Sequence, residues 1–108
     1  DAVTPERVRA VLDRLVSRDD PFYTQTWNGL SRTQKQALLA VAREGGTGLY
    51  AGGLLRAYDL ASPSTMQTAI GALVKAGVAR EEEHQGGVRI RLEDPFFAVW
   101  LRLFVAAP

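Results

Sequence analysis

Residues 62–92 read SPSTMQTAIGALVKAGVAREEEHQGGVRIRL, and the period of the apolar residues changes partway along. After a turn at residues 61–64, Met66, Ala69, Ile70, Leu73 and Val74 recur at helical spacing and face inward. Ser64, Thr65, Gln67, Thr68, Gly71 and Lys75 are left on the outer face. Gly77 closes this helix, and Val78 starts a strand. His84, Gln85, Gly86 and Gly87 make a hairpin loop. Val88, Ile90 and Leu92 then alternate with Arg89 and Arg91, which predicts a strand with one buried face and one basic, wet face.

Upstream, Ser31 with Gln34 three residues later is a capping-box pattern. Ala37, Leu38, Val41 and Ala42 give this helix its stripe, widened by Leu30 and Leu39, and Gly45–Gly46 ends it. Leu54, Leu55 and Tyr58 predict a short helix ending at Asp59 or Leu60. Two helical segments, a further helix and a hairpin outline a winged helix-turn-helix: mainly α, with a small antiparallel wing of two or three strands. Residues 47–53 are glycine-rich, but they lack the Gly-Lys-Ser/Thr order of a phosphate-cradling loop. They are expected to form one short extended piece that adds to the wing sheet.

Helices flank this core. Thr4, Pro5 and Glu6 form a helix start, and Val8, Val11, Leu12, Leu15 and Val16 fall on one face. Asp19–Asp20–Pro21 stops that helix. Phe22, Tyr23 and Trp27 suggest a second short helix, with Asn28–Gly29 as its turn or cap. At the other end, Asp94–Pro95 opens a helix that is apolar nearly all round, from Phe96 to Val105. Such a helix is rarely exposed. It lies either in a groove between the first helix and the core or against a partner. The expected organisation is a helical lead-in over 1–29, the winged core over 30–92 and the apolar helix over 93–108.

The 108 residues make one domain of ordinary composition, with a net charge of +1. Residues 31–60 set Arg32, Lys35, Arg43 and Arg56 against Glu44 and Asp59. Residues 61–92 set Lys75, Arg80, Arg89 and Arg91 against Glu81, Glu82 and Glu83. A dedicated DNA-binding domain carries a more strongly basic face. No apolar run approaches the ~20 residues of a membrane span. Nor is there a basic start followed by an apolar run, so a cytoplasmic location is expected. The chain begins at Asp1, and its single methionine is Met66; it is expected to be a piece of a longer or processed protein.

Catalytic chemistry is scarce. There is no cysteine, and His84 is the single histidine, without a second nitrogen ligand or an adjacent nucleophile. No catalytic, cofactor or metal residue is assigned, and the fragment is not expected to be an enzyme. Candidate DNA-binding residues are Ser64, Thr65, Gln67, Thr68 and Lys75 on the helix over 64–76, with Arg89 and Arg91 on the backbone. That helix carries no arginine, and the wing is acidic through residues 81–83. Candidate protein-docking residues are Phe96, Phe97, Trp100 and Phe104.

Three segments together, residues 30–39 (LSRTQKQALL), 61–70 (ASPSTMQTAI) and 92–102 (LEDPFFAVWLR), resemble the C-terminal region of prokaryotic ATPases of the AAA and STAND type, archaeal-ATPase-like. The resemblance covers about residues 30–103, and the Asp94–Pro95–Phe96–Phe97 to Trp100–Leu101–Arg102 ending is its most specific part. It implies a winged helix following a nucleotide-binding core and helical lid, with residues 1–29 as the end of the lid. It also implies an accessory module that makes regulatory contacts with its own ATPase chain or another protein, in a homo-oligomer or otherwise. The family's ATP-binding motifs are absent from these residues. Thr68 stands where relatives often carry a basic residue, which weakens the DNA-binding implication.

Overall fold

The computed structural model describes residues 5–6 and 17–105. Within the described residues 17–105, five helices and one hairpin follow in order: α1 (Pro21–Asn28), α2 (Arg32–Glu44), α3 (Gly52–Ala57), α4 (Pro63–Lys75), β1 (Ala79–His84), β2 (Gly87–Leu92) and α5 (Pro95–Phe104). This is the mainly α winged helix-turn-helix expected. Pro5 and Glu6 are helical. The expected face of Val8, Val11, Leu12, Leu15 and Val16 lies outside the described residues.

The helix starts are written locally. Asp20–Pro21, Ser62–Pro63 and Asp94–Pro95 each put a capping oxygen before a proline. The side chains accept from the backbone N–H groups of Tyr23, Thr65 and Phe96, and the proline has no N–H to satisfy. Ser31 and Gln34 form the reciprocal capping box. The ends are equally specific. Val78 N–H reaches Leu73 O and Gly77 N–H reaches Val74 O, a Schellman closure that needs Gly77 at φ +77°. Val78 is therefore spent on the helix end, and β1 begins at Ala79 rather than at Val78.

Helix α2 is the centre of the molecule. Residues 37–42 are buried consecutively, so it is covered on all sides. It packs chiefly on α4, and also on α5 and β2. Leu38, Met66, Leu73 and Leu101, from α2, α4 and α5, are the innermost side chains. Helix α5 lies on α2 and β2. Tyr23 of α1 stacks on Phe97 at 5.0 Å, and the Tyr23 hydroxyl donates to Asp94 Oδ2 at 2.7 Å. Trp100 Nε1 donates to Ser17 O at 3.1 Å.

The wing has two strands, one of the two numbers expected. Three other expectations change. The glycine-rich loop contributes one ladder bond, Ile90 N–H to Gly46 O at 3.0 Å, and then turns away into α3. Helix α3 starts at Gly52, inside the run expected to be extended, and ends at Ala57, where Asp59 at φ +56° allows Leu60 N–H to close on Leu55 O. Finally, Val88 is 62 % exposed. The two-residue turn at Gln85 and Gly86, both at positive φ, carries the hairpin tip past the edge of the core, so the inner face of β2 is buried at Ile90 and Leu92 only.

Candidate nucleic-acid and protein interface

The hairpin register sorts the wing's charges by face. Arg80 pairs with Arg91 and Glu82 with Arg89 on one face; Glu81 pairs with Ile90 and Glu83 with Val88 on the other. Ala79, Ile90 and Leu92 are buried, so the second face is the inner one; Glu81 lines the groove beside α4, and Glu83 follows on the same face toward the hairpin tip. The outer face holds the arginines. Arg91 Nε lies 3.5 Å from Glu82 Oε2, and Arg80 Nε lies 3.5 Å from Glu93 Oε1. Arg89 Nε donates to Gly45 O at 2.8 Å, and Arg102 Nη1 to Ala42 O at 3.3 Å. These guanidiniums satisfy carbonyls at the C-terminal end of α2, where the helix dipole favours positive charge.

The outer side of α4 divides into two surfaces. Ser64, Thr65 and Thr68, with Ser31, Thr33 and Gln34 of the α2 start, line a polar hollow of about 330 Å³. Thr65 is half-buried there, its hydroxyl 3.0 Å from that of Ser62. Gln67, Ile70, Gly71 and Val74 line a second, larger groove of about 590 Å³ against the wing and the glycine-rich loop. Lys75 is exposed at the end of α4. The candidate DNA-binding set is thus split. Ser64, Thr65 and Thr68 come together, Gln67 faces the other groove, and Arg89 and Arg91 lie on the opposite face of the wing.

The candidate docking residues separate as well. Phe97 and Trp100 are buried inside the chain, Phe104 is partly covered with the Arg18 guanidinium 5.4 Å from its ring centre, and Phe96 is 46 % exposed. Phe97 and Trp100 hold α5 in place; Phe96 is the aromatic residue of the four that a partner can reach. Sequence reasoning missed Leu49, Tyr50, Glu81 and Val88 as groove residues. The Gln85–Gly86 turn held the signal, because the register it sets puts Glu81 and Glu83 on the side of Ile90 and Val88.

The perturbed titrations lie away from these surfaces. Burial, then the hydrogen bond to Asp94, pushes the Tyr23 phenol well above its ordinary range. Burial, then the hydrogen bond to Glu44, raises that of Tyr58. Both act as protonated donors, not as bases. Among the described residues no cluster of His, Cys, Asp or Glu is placed to hold a metal ion, and no helix is long and apolar enough to cross a membrane.

Helix α4 laid over α2, followed by a two-stranded wing, defines a winged helix-turn-helix domain. The family model described as a probable winged helix domain matches residues 21–103, and the chain belongs to that family. Neither the curated proteins nor the solved structures contain a match.

Proposed function

We propose that this domain is a non-catalytic docking module that recognises protein through the α4 and wing side, as an accessory part of a multidomain cytoplasmic ATPase. The observation that carries the reading is the placement of Glu81 and Glu83 on the wing face that borders α4. A duplex seated on α4 would bring phosphates toward these carboxylates, and like charges brought together oppose binding. The arginines that would offset them face away and are engaged with Glu82, Glu93 and Gly45 O. The ATPase context rests on the resemblance of residues 30–103. The partner in this reading is the domain's own ATPase core or another protein, in a homo-oligomer or a hetero-complex, without a membrane.

Capture of the parent ATPase core by the immobilised domain, with and without nucleotide, tests the reading. Capture that depends on nucleotide state is the expected result; no capture in either state counts against it.

A second reading, DNA binding through residues 64–76, is favoured by the hydroxyl-lined hollow where the starts of α2 and α4 meet. Hydroxyls and helix starts are ordinary phosphate partners. The salt dependence of duplex binding separates the two readings.

A further inference from the structure

The large groove beside α4 has a chemistry that selects among partners. Its walls are Leu49, Tyr50, Ile70, Val74 and Val88, with Gly71 in its floor. Four large apolar side chains are exposed among the described residues, and two of them, Tyr50 and Val88, line this groove. Its volume of about 590 Å³ falls within the range of ligand-holding clefts. The one charged lining residue is Glu81. Glu83 follows on the same strand face, opposite Val88. Among the described residues neither carboxylate joins an ion pair, whereas Glu82 and Glu93 both do.

We propose that this groove docks a peptide segment of a partner protein that carries a lysine or arginine flanked by apolar side chains. The proposal rests on the protein-contact reading above and adds the chemistry of the partner. Apolar walls bind by excluding water, and they take any apolar segment of the right size. The carboxylates add the selection. An acid at the edge of an apolar cleft makes a charge-assisted hydrogen bond with an incoming cation and repels an acidic segment or a phosphate chain.

The test is a titration of the isotope-labelled domain, followed by amide NMR shifts. The probes are a short synthetic peptide alternating leucine and arginine, its leucine–glutamate counterpart and a short DNA duplex. The expected result is saturable binding of the basic peptide, with shifts centred on Tyr50, Gly71 and Val88. Glu81→Lys should weaken that binding by about tenfold or more, since reversal of a charge facing the ligand replaces attraction by repulsion. Gly71→Phe should block it: nothing lies within 4 Å of a Cβ built at Gly71, so the backbone admits one, and Gly71 lines the groove that the ring would occupy. Thermal unfolding of both variants at or above the temperature of the unaltered domain would tie the loss to the groove.

Equal binding of the acidic peptide would overturn the proposal, as would shifts that avoid the groove or larger shifts there with duplex DNA. If the basic peptide fails while the domain still captures its ATPase core, the groove assignment falls and the protein-contact reading stands. If both fail, both fall.

Discussion

Gly46 and Ile90 are joined backbone to backbone, with no room for a side chain on Gly46. Ile90 N–H donates to Gly46 O at 3.0 Å, and a Cβ built on Gly46 would lie 1.9 Å from Ile90 O. This contact ties the glycine-rich loop to the wing and sets one wall of the groove beside α4. Only a residue without a side chain fits, because the neighbour that would have to move is backbone.

Gly46→Ala is therefore expected to destabilise the domain by at least about 2 kcal/mol, from left-handed strain and the clash together. Gly45→Ala is the control. Gly45 also has a positive φ, but nothing lies near its built Cβ, so it should cost only about 1 kcal/mol. Urea unfolding of the two variants checks the order, and equal costs would mean that the loop can move away from β2.

The aromatic residues of α5 should divide by burial. Trp100→Ala is expected to cost about 3–5 kcal/mol, since a large buried side chain leaves a cavity and the Nε1 bond to Ser17 O is lost. Phe96→Ala should stay within about 0.5 kcal/mol, as exposed sites do. Thermal unfolding measures both.

Tyr23 links stability to alkaline pH. Its phenol is held above the ordinary range by burial and by the hydrogen bond to Asp94. The unfolded phenol titrates near 10, so the contribution of Tyr23 is fully present below that pH and is lost as pH rises toward the folded value. Tyr23→Phe should cost about 1.5–3 kcal/mol at neutral pH, the range for a hydrogen bond to a charged group. It should also lower the part of the alkaline destabilisation above pH ~10 that comes from this residue. Denaturant unfolding at neutral and alkaline pH compares the two proteins.

Gly71 offers a gain. It sits mid-helix on α4 with open space around it. Gly71→Ala should stabilise the domain by about 0.5–1 kcal/mol through the lower backbone entropy cost of alanine in a helix. Chemical denaturation measures it, and a loss of stability would mean that the position is more crowded than the structure shows.

What could be read in the sequence is what short stretches encode. The capping residues Ser31 and Asp94, the turn at residues 61–64, the Gly77 stop and the hairpin loop within residues 84–87 each act within a few residues, so the element order followed directly. What could not be read depends on where the core ends. Alternation placed Val88 on the inner face, but not beyond the reach of α4, so its exposure was missed. An α5 that is apolar all round did not announce that α1 would cover Phe97 and leave Phe96 open. The bond from Ile90 to Gly46 joins segments 44 residues apart, and no local pattern carries it. The same distance effect hid the groove, whose walls come from the glycine-rich loop, α4 and the wing.

Duplex binding by fluorescence anisotropy across a salt series is the measurement that bears most directly on the role of the α4 side. No measurable binding by the unaltered domain is expected at low salt, with binding gained when Glu81 and Glu83 are both changed to lysine. A tight complex of the unaltered domain whose log affinity falls with log salt at a slope of about −0.9 per phosphate contacted, over several phosphates, would contradict this expectation.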